Sequence, residues 1–103
     1  MLDKGTVINT VKRYTEAVTK EFSPSAVVLF GSYINGNPNE DSDIDVAVIF
    51  NGFSGDWLKT SARLWGLKED ISLDIEPHLL DSAEDKSGFV KYVFKTGQII
   101  YKA

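Results

Sequence analysis

The sequence predicts an α/β fold, α+β in some schemes, in which a small mixed β-sheet is flanked by helices. Three observations carry that prediction. Segments with a helical apolar period alternate along the chain with short β-branched apolar runs. The runs are bounded by glycine, proline, serine and asparagine, the residues that favour turns. The length of 103 residues, 43% of them hydrophobic, suits one packed core, so a single domain over residues 1–103 is expected.

The elements follow in order. Between Thr6 and Phe22, Val7, Ile8, Val11, Tyr14, Val18 and Phe22 recur at helical spacing with Lys12, Arg13, Glu16 and Lys20 between them, which predicts an amphipathic helix. Ser23-Pro24-Ser25 ends it, because the residue before a proline is pushed out of the helical region. Ala26 to Phe30 is then a buried strand. The polar stretch Asn35 to Asp41 is a loop, or a short helix and then a loop. Ile44 to Phe50 is apolar on both faces after Asp45 and reads as a central strand. Trp57 to Lys68 is a second helix, with Trp57 and Trp65 expected in the core. Ile71 to Glu76 alternates apolar with polar and predicts a third strand that stops at Pro77, with Ser72, Asp74 and Glu76 on one face. Phe89 to Lys95 forms the last helix, Gly97 is its left-handed cap, and Gln98 to Tyr101 is a terminal strand.

Charge and composition narrow the function. Eleven Lys and Arg against fifteen Asp and Glu leave a net charge of -4, so no broad basic surface exists for long nucleic acid. Without cysteine there is no disulfide framework and no thiolate zinc site. The apolar runs fall well short of the roughly 18 residues a membrane span requires. A cytoplasmic protein with no membrane partner is expected. His78 is the one histidine, and with no second His or Cys to join it the default reading is a surface turn.

The chemistry concentrates between Phe30 and Val48. Asp43 and Asp45, two apart at a strand start, leave the same face and can hold one hard cation between them. Mg²⁺ is the natural candidate, because it takes oxygen ligands and is held by one or two carboxylates plus substrate phosphates. The bland alternative is a solvated acidic loop. Gly31-Ser32, directly after a buried strand, lets backbone approach a phosphate closely and adds a hydroxyl and amide donors; as a lone pair it is equally plain strand-to-turn punctuation. Tyr33 beside it could line a nucleotide or cover the sheet edge. On the third strand Asp74 and Glu76 share a face and would join the cluster if that strand lies beside the second. Asp74 is preferred as the third carboxylate, since Pro77 turns the chain away just after Glu76.

Gly31-Ser32, ten residues, then Asp43-Ile44-Asp45, with apolar strands on either side, resembles the minimal nucleotidyltransferases of the polymerase β-like superfamily. Leu73-Asp74-Ile75 matches the apolar-Asp-apolar setting of that family's third carboxylate. The resemblance runs from about Ala26 to Tyr101. It implies transfer of AMP from ATP to an acceptor hydroxyl with release of pyrophosphate, at a two-metal Mg²⁺ site. Asp43 and Asp45 would bind the metals, Asp74 would position the second metal and help take the acceptor's proton, and Gly31, Ser32 and Tyr33 would contact the nucleotide. Many members read Gly-Ser-Arg-x-Arg-Gly at the phosphate loop, whereas Gly31 to Gly36 here carries no cation. Lys59, Arg63 and Lys68 on the second helix are the candidate substitutes.

In this family the single-domain members resemble antitoxins that pair with a helical HEPN ribonuclease toxin and add AMP to a tyrosine hydroxyl. The expected partners are therefore a HEPN-type toxin, or another helical protein, and ATP. A second function is a catalytically impaired binding module acting by steric contact. A third is a small-molecule nucleotidyltransferase whose acceptor pocket lies at a homo-oligomer interface.

Overall fold

A computed structural model describes residues 3–36 and 43–103. The remainder of the expected polar loop, from residue 37 to 42, lies outside them. Helix α1 (Lys4–Glu21) starts at an Asp3 cap whose carboxylate accepts from the Thr6 amide at 2.8 Å. Strand β1 (Ala26–Phe30) leads into a one-turn helix α2 (Ser32–Asn35), and β2 (Ile44–Phe50) leads through α3 (Trp57–Lys68) to β3 (Ile75–Asp81). Helix α4 (Phe89–Thr96) and strand β4 (Gln98–Lys102) complete the described chain. No described helix is long and apolar enough to cross a membrane.

The four strands form one sheet in the order β3-β2-β1-β4. Both partners of β1 run antiparallel to it, whereas β2 and β3 are parallel, as a strand-helix-strand crossover through α3 requires. The mixed sheet and the central place of β2 agree with the sequence. Each strand sends alternate residues to two cores. On one face Val27, Leu29, Ile44, Val46, Val48 and Ile75 pack against Val7, Val11, Tyr14 and Val18 of α1 and Leu64 of α3. On the other, Ala26, Val28, Ala47 and Ile49 pack against Val90 and Val93 of α4. Helix α4 is short, so it covers only part of this second face.

The third strand departs from expectation. It begins at Ile75, where it was expected to be ending, and runs through Pro77 to Asp81. Leu73, expected within the strand on the face opposite Asp74 and Glu76, is 75% exposed in the turn before it. Pro77 does not stop β3 because β3 is an edge strand, where a missing backbone donor can be turned to the solvent side. The alternation simply continues across the proline: Ile75, Pro77 and Leu79 are buried, while Glu76, His78 and Leu80 are half-buried on the opposite face.

Two smaller corrections have local causes. Gly97 has φ -87° and is not left-handed; a β-carbon there would meet Val28 Cγ1 at 2.6 Å and the Leu29 carbonyl at 2.8 Å. Glycine is required by the close approach of β1. Trp57 and Trp65 are 42% and 41% exposed, because α3 turns Leu64 into the core instead; the Lys68 ammonium sits 4.9 Å from the centre of the Trp65 ring.

Candidate active site

The strand register assembles the site. Phe30 pairs with Asp45 across β1 and β2, and Asp45 pairs with Glu76 across β2 and β3. Residues paired in register point to the same side, so Phe30, Asp45 and Glu76 form a row on the face that α4 only partly covers. In the next row Ala47 pairs with His78. Alanine's single methyl leaves room for the imidazole to lean back toward the first row. There its Nε2 lies 3.1 Å from Asp45 Oδ1, and its ring meets Phe30 edge-on at 5.1 Å between centroids. Phe30 is backed in turn by Phe89 of α4 at 5.8 Å.

Gly31 closes one side of this row. It has φ +84°, a conformation natural to glycine, and a β-carbon on it would fall onto Asp45 Oδ2 and stand 3.0 Å from Asp45 Cγ. Gly31 and Asp45 are thus parts of one contact. Helix α2 begins at Ser32, as the phosphate-loop reading requires, but it is a single turn with no side-chain cap. Any phosphate held there would rest on local amides and the Ser32 hydroxyl, with little contribution from a helix dipole.

Asp45, Glu76 and His78 each offer a ligand atom, and these atoms all lie within 4.8 Å of one another. The electrostatics fit a cation. Burial first, then donation of its protonated form to Asp43, then the charge of Asp45 raise the Glu76 carboxyl above its ordinary value, while His78 acts in the opposite direction. Like charges gathered this closely favour a bound positive ion. Two carboxylates and an imidazole are a suitable donor set for a divalent metal, so the residues present fit the cation expected of the site.

The expected site residues divide into those brought together and those left apart. Asp43, exposed just before β2, reaches Glu76, and Asp45 is central. Asp74 is exposed in the turn before β3; its carbonyl accepts from the Ile44 amide at 2.8 Å, and it is not among the three clustered ligands. Glu76, two residues later on the same alternation, is among them. Tyr33 is half-buried and packs against the core on the α1 and α3 side of the sheet. Two of the three substitute cations are engaged elsewhere: Arg63 pairs with Glu21 at 2.7 Å, and Lys68 Nζ donates to the Leu73 carbonyl at 2.9 Å. His78 lies on a strand and not in a surface turn. A lone histidine carried no sequence signal, but its place two residues after Glu76 on a continuing alternation did.

Beyond His78 a groove of about 510 Å³ follows β3, lined by Phe53, Trp57, Leu80, Asp81, Phe89 and Val90 among others. Asp81 fixes its far end by accepting from the amides of Gly52, Phe53 and Ala83 at 2.8 to 2.9 Å.

The family model described as Polymerase beta, Nucleotidyltransferase matches residues 12–103. No curated protein matches the chain in sequence. Among solved structures, a Sulfolobus solfataricus protein classed as a candidate nucleotidyltransferase superposes with a TM-score of 0.68 at 22% identity, over 94% of this chain and 81% of that one. A toxin-antitoxin structure with AMP-PNP gives 0.68 at 23% identity, over 92% and 74%. A mutant of the MntA-HpeT toxin-antitoxin gives 0.64 at 21% identity, over 93% and 73%. At these identities the likeness is one of fold.

Proposed function

The chain belongs to the polymerase beta nucleotidyltransferase family, and from that premise we propose that it transfers AMP from ATP to a hydroxyl of a partner protein, acting in the cytoplasm as the antitoxin of a HEPN-type ribonuclease toxin. Residues 1–103 serve as a single minimal catalytic domain. The observation that carries this reading is the meeting of Gly31, Asp45 and Glu76 at one end of a sheet face. Phosphoryl transfer needs positioning and charge neutralisation far more than a covalent nucleophile, and this cluster would offer both with a divalent cation bound to its carboxylates.

In the reaction the acceptor oxygen bonds to the α-phosphorus, the bond from that phosphorus to the bridging oxygen breaks, and pyrophosphate leaves. Asp43 and Asp45 would hold the divalent ion that arrives with ATP, Mg²⁺ in the cell, and Asp45 and Glu76 would hold a second. Ions held by these carboxylates would supply the charge neutralisation that the transfer of AMP needs. Gly31 lets backbone approach the outer phosphates, and Ser32 offers its hydroxyl to them. The role expected of Asp74 passes to Glu76, which receives the acceptor's proton. The apolar groove beyond His78 gives a partner's side chain a surface to approach along. The AMP-PNP of one structural neighbour and the toxin partners of two support the choice of nucleotide and partner.

A second reading, inhibition by contact alone, is favoured by the lack of any cation from Gly31 to Gly36 and by the engagement of Arg63 and Lys68 elsewhere. One experiment tests both. The protein is co-expressed with its toxin partner, then incubated with ATP and Mg²⁺, and the partner is weighed by mass spectrometry. The transfer reading expects an added AMP that Asp43→Asn/Asp45→Asn abolishes together with toxin control. An unchanged partner mass, with toxin control surviving in the double variant, rejects transfer in favour of contact.

A further inference from the structure

The sheet brings a nitrogen donor into a cluster otherwise made of carboxylates. Resting on the reading of this cluster as a divalent-metal site, we infer that His78 is a direct metal ligand and makes the site selective for Mn²⁺ over Mg²⁺. The geometry supports ligation. Cis ligands on an octahedral ion about 2.1 Å away stand about 3.0 Å apart, and trans ligands about 4.2 Å. The separation of His78 Nε2 from Asp45 Oδ1 is 3.1 Å, and the full set spans no more than 4.8 Å. Small side-chain movements bring all three onto one ion.

The imidazole is also held in place. Phe30 meets it edge-on, Phe89 backs Phe30, and Ala47 beside His78 is small enough to let the ring lean toward Asp45. A freely rotating surface histidine would have none of this. Mg²⁺ takes oxygen donors and gives up water reluctantly, so an imidazole adds little to its affinity. Mn²⁺ shares the carboxylate preference of Mg²⁺ but stands at the start of the first-row series, along which affinity for sites with nitrogen donors rises, so an imidazole favours it over Mg²⁺.

The test uses the full chain with Mn²⁺ and Mg²⁺ alone, without nucleotide or partner. Pulsed electron paramagnetic resonance of bound Mn²⁺ is expected to show hyperfine coupling to one imidazole nitrogen, which His78→Gln removes. By calorimetric titration His78→Gln is expected to lower the Mn²⁺-to-Mg²⁺ affinity ratio by about tenfold or more, while Mg²⁺ affinity stays within about threefold. Absence of nitrogen coupling in the unsubstituted protein, or an affinity ratio unchanged by His78→Gln, overturns the inference. Should the variant fail to fold, the spectrum of the unsubstituted protein alone decides. A protein that shows the nitrogen coupling yet never modifies a partner would retain this metal site and lose the transferase reading.

Discussion

The Asp45 carboxylate occupies the space that a β-carbon on Gly31 would need. The glycine of the turn and the second aspartate of the Asp43-Ile44-Asp45 pair, 14 positions apart in sequence, are therefore constrained by one another. Gly31→Ala is expected to cost about 1–3 kcal/mol through its positive φ and to displace Asp45 as well. A lowered melting temperature and a divalent-metal affinity reduced by about tenfold or more are the predicted results. Thermal melting with metal titration checks them; a variant that melts lower but keeps full metal affinity would separate the two residues.

Glu76, and not Asp74, is the third carboxylate of the account. Glu76→Gln is expected to reduce divalent-metal affinity by at least about tenfold, the lower end of what even an outer partner of a metal ligand commands. Asp74→Asn is expected to bind metal as the unsubstituted protein does. Parallel titrations of the two variants decide between the residues.

The two helices on the opposite face are tied by one buried hydrogen bond. Tyr14 is fully buried and its hydroxyl donates to the Leu64 carbonyl at 2.8 Å. Tyr14→Phe removes this second donor from a carbonyl that α3 already engages, and a destabilisation of about 0.5–1.5 kcal/mol is expected by urea unfolding. Because the bond lies on the face away from Asp45, metal affinity should be unchanged.

Asp81 supplies a pH dependence. Its hydrogen bonds from the amides of Gly52, Phe53 and Ala83 lower its carboxyl below the ordinary 3.8. A group depressed on folding stabilises the protein fully above its unfolded pKa, and that contribution disappears as pH falls through the folded value. The unsubstituted protein should therefore lose stability below about pH 4 more steeply than Asp81→Asn. Unfolding curves across that range measure the difference in slope.

How much of this was legible in the sequence depended on where the deciding contact lay. Strands Ala26–Phe30 and Ile44–Phe50 and helix Trp57–Lys68 were readable because local turn residues bracket strong apolar patterns. Asp43 and Asp45 were readable because a two-residue spacing fixes their common face. The third strand was not, since Ile71 to Glu76 and Ile75 to Asp81 both alternate, and only pairing with β2 selects the second. Pro77 acted as a terminator in the sequence because its tolerance depends on being at the sheet edge, a property of topology. His78 gained its partner from the parallel register, which places Asp45, 33 positions earlier, beside it.

The most direct test of the central claim is calorimetric titration of the protein with ATP in the presence and absence of Mg²⁺, beside Asp43→Asn/Asp45→Asn. The account predicts metal-dependent binding that the double variant loses, with the divalent ion held by the carboxylates supplying the positive charge that the phosphate loop lacks. Binding that is absent at millimolar ATP, or that persists equally in the double variant, would contradict it.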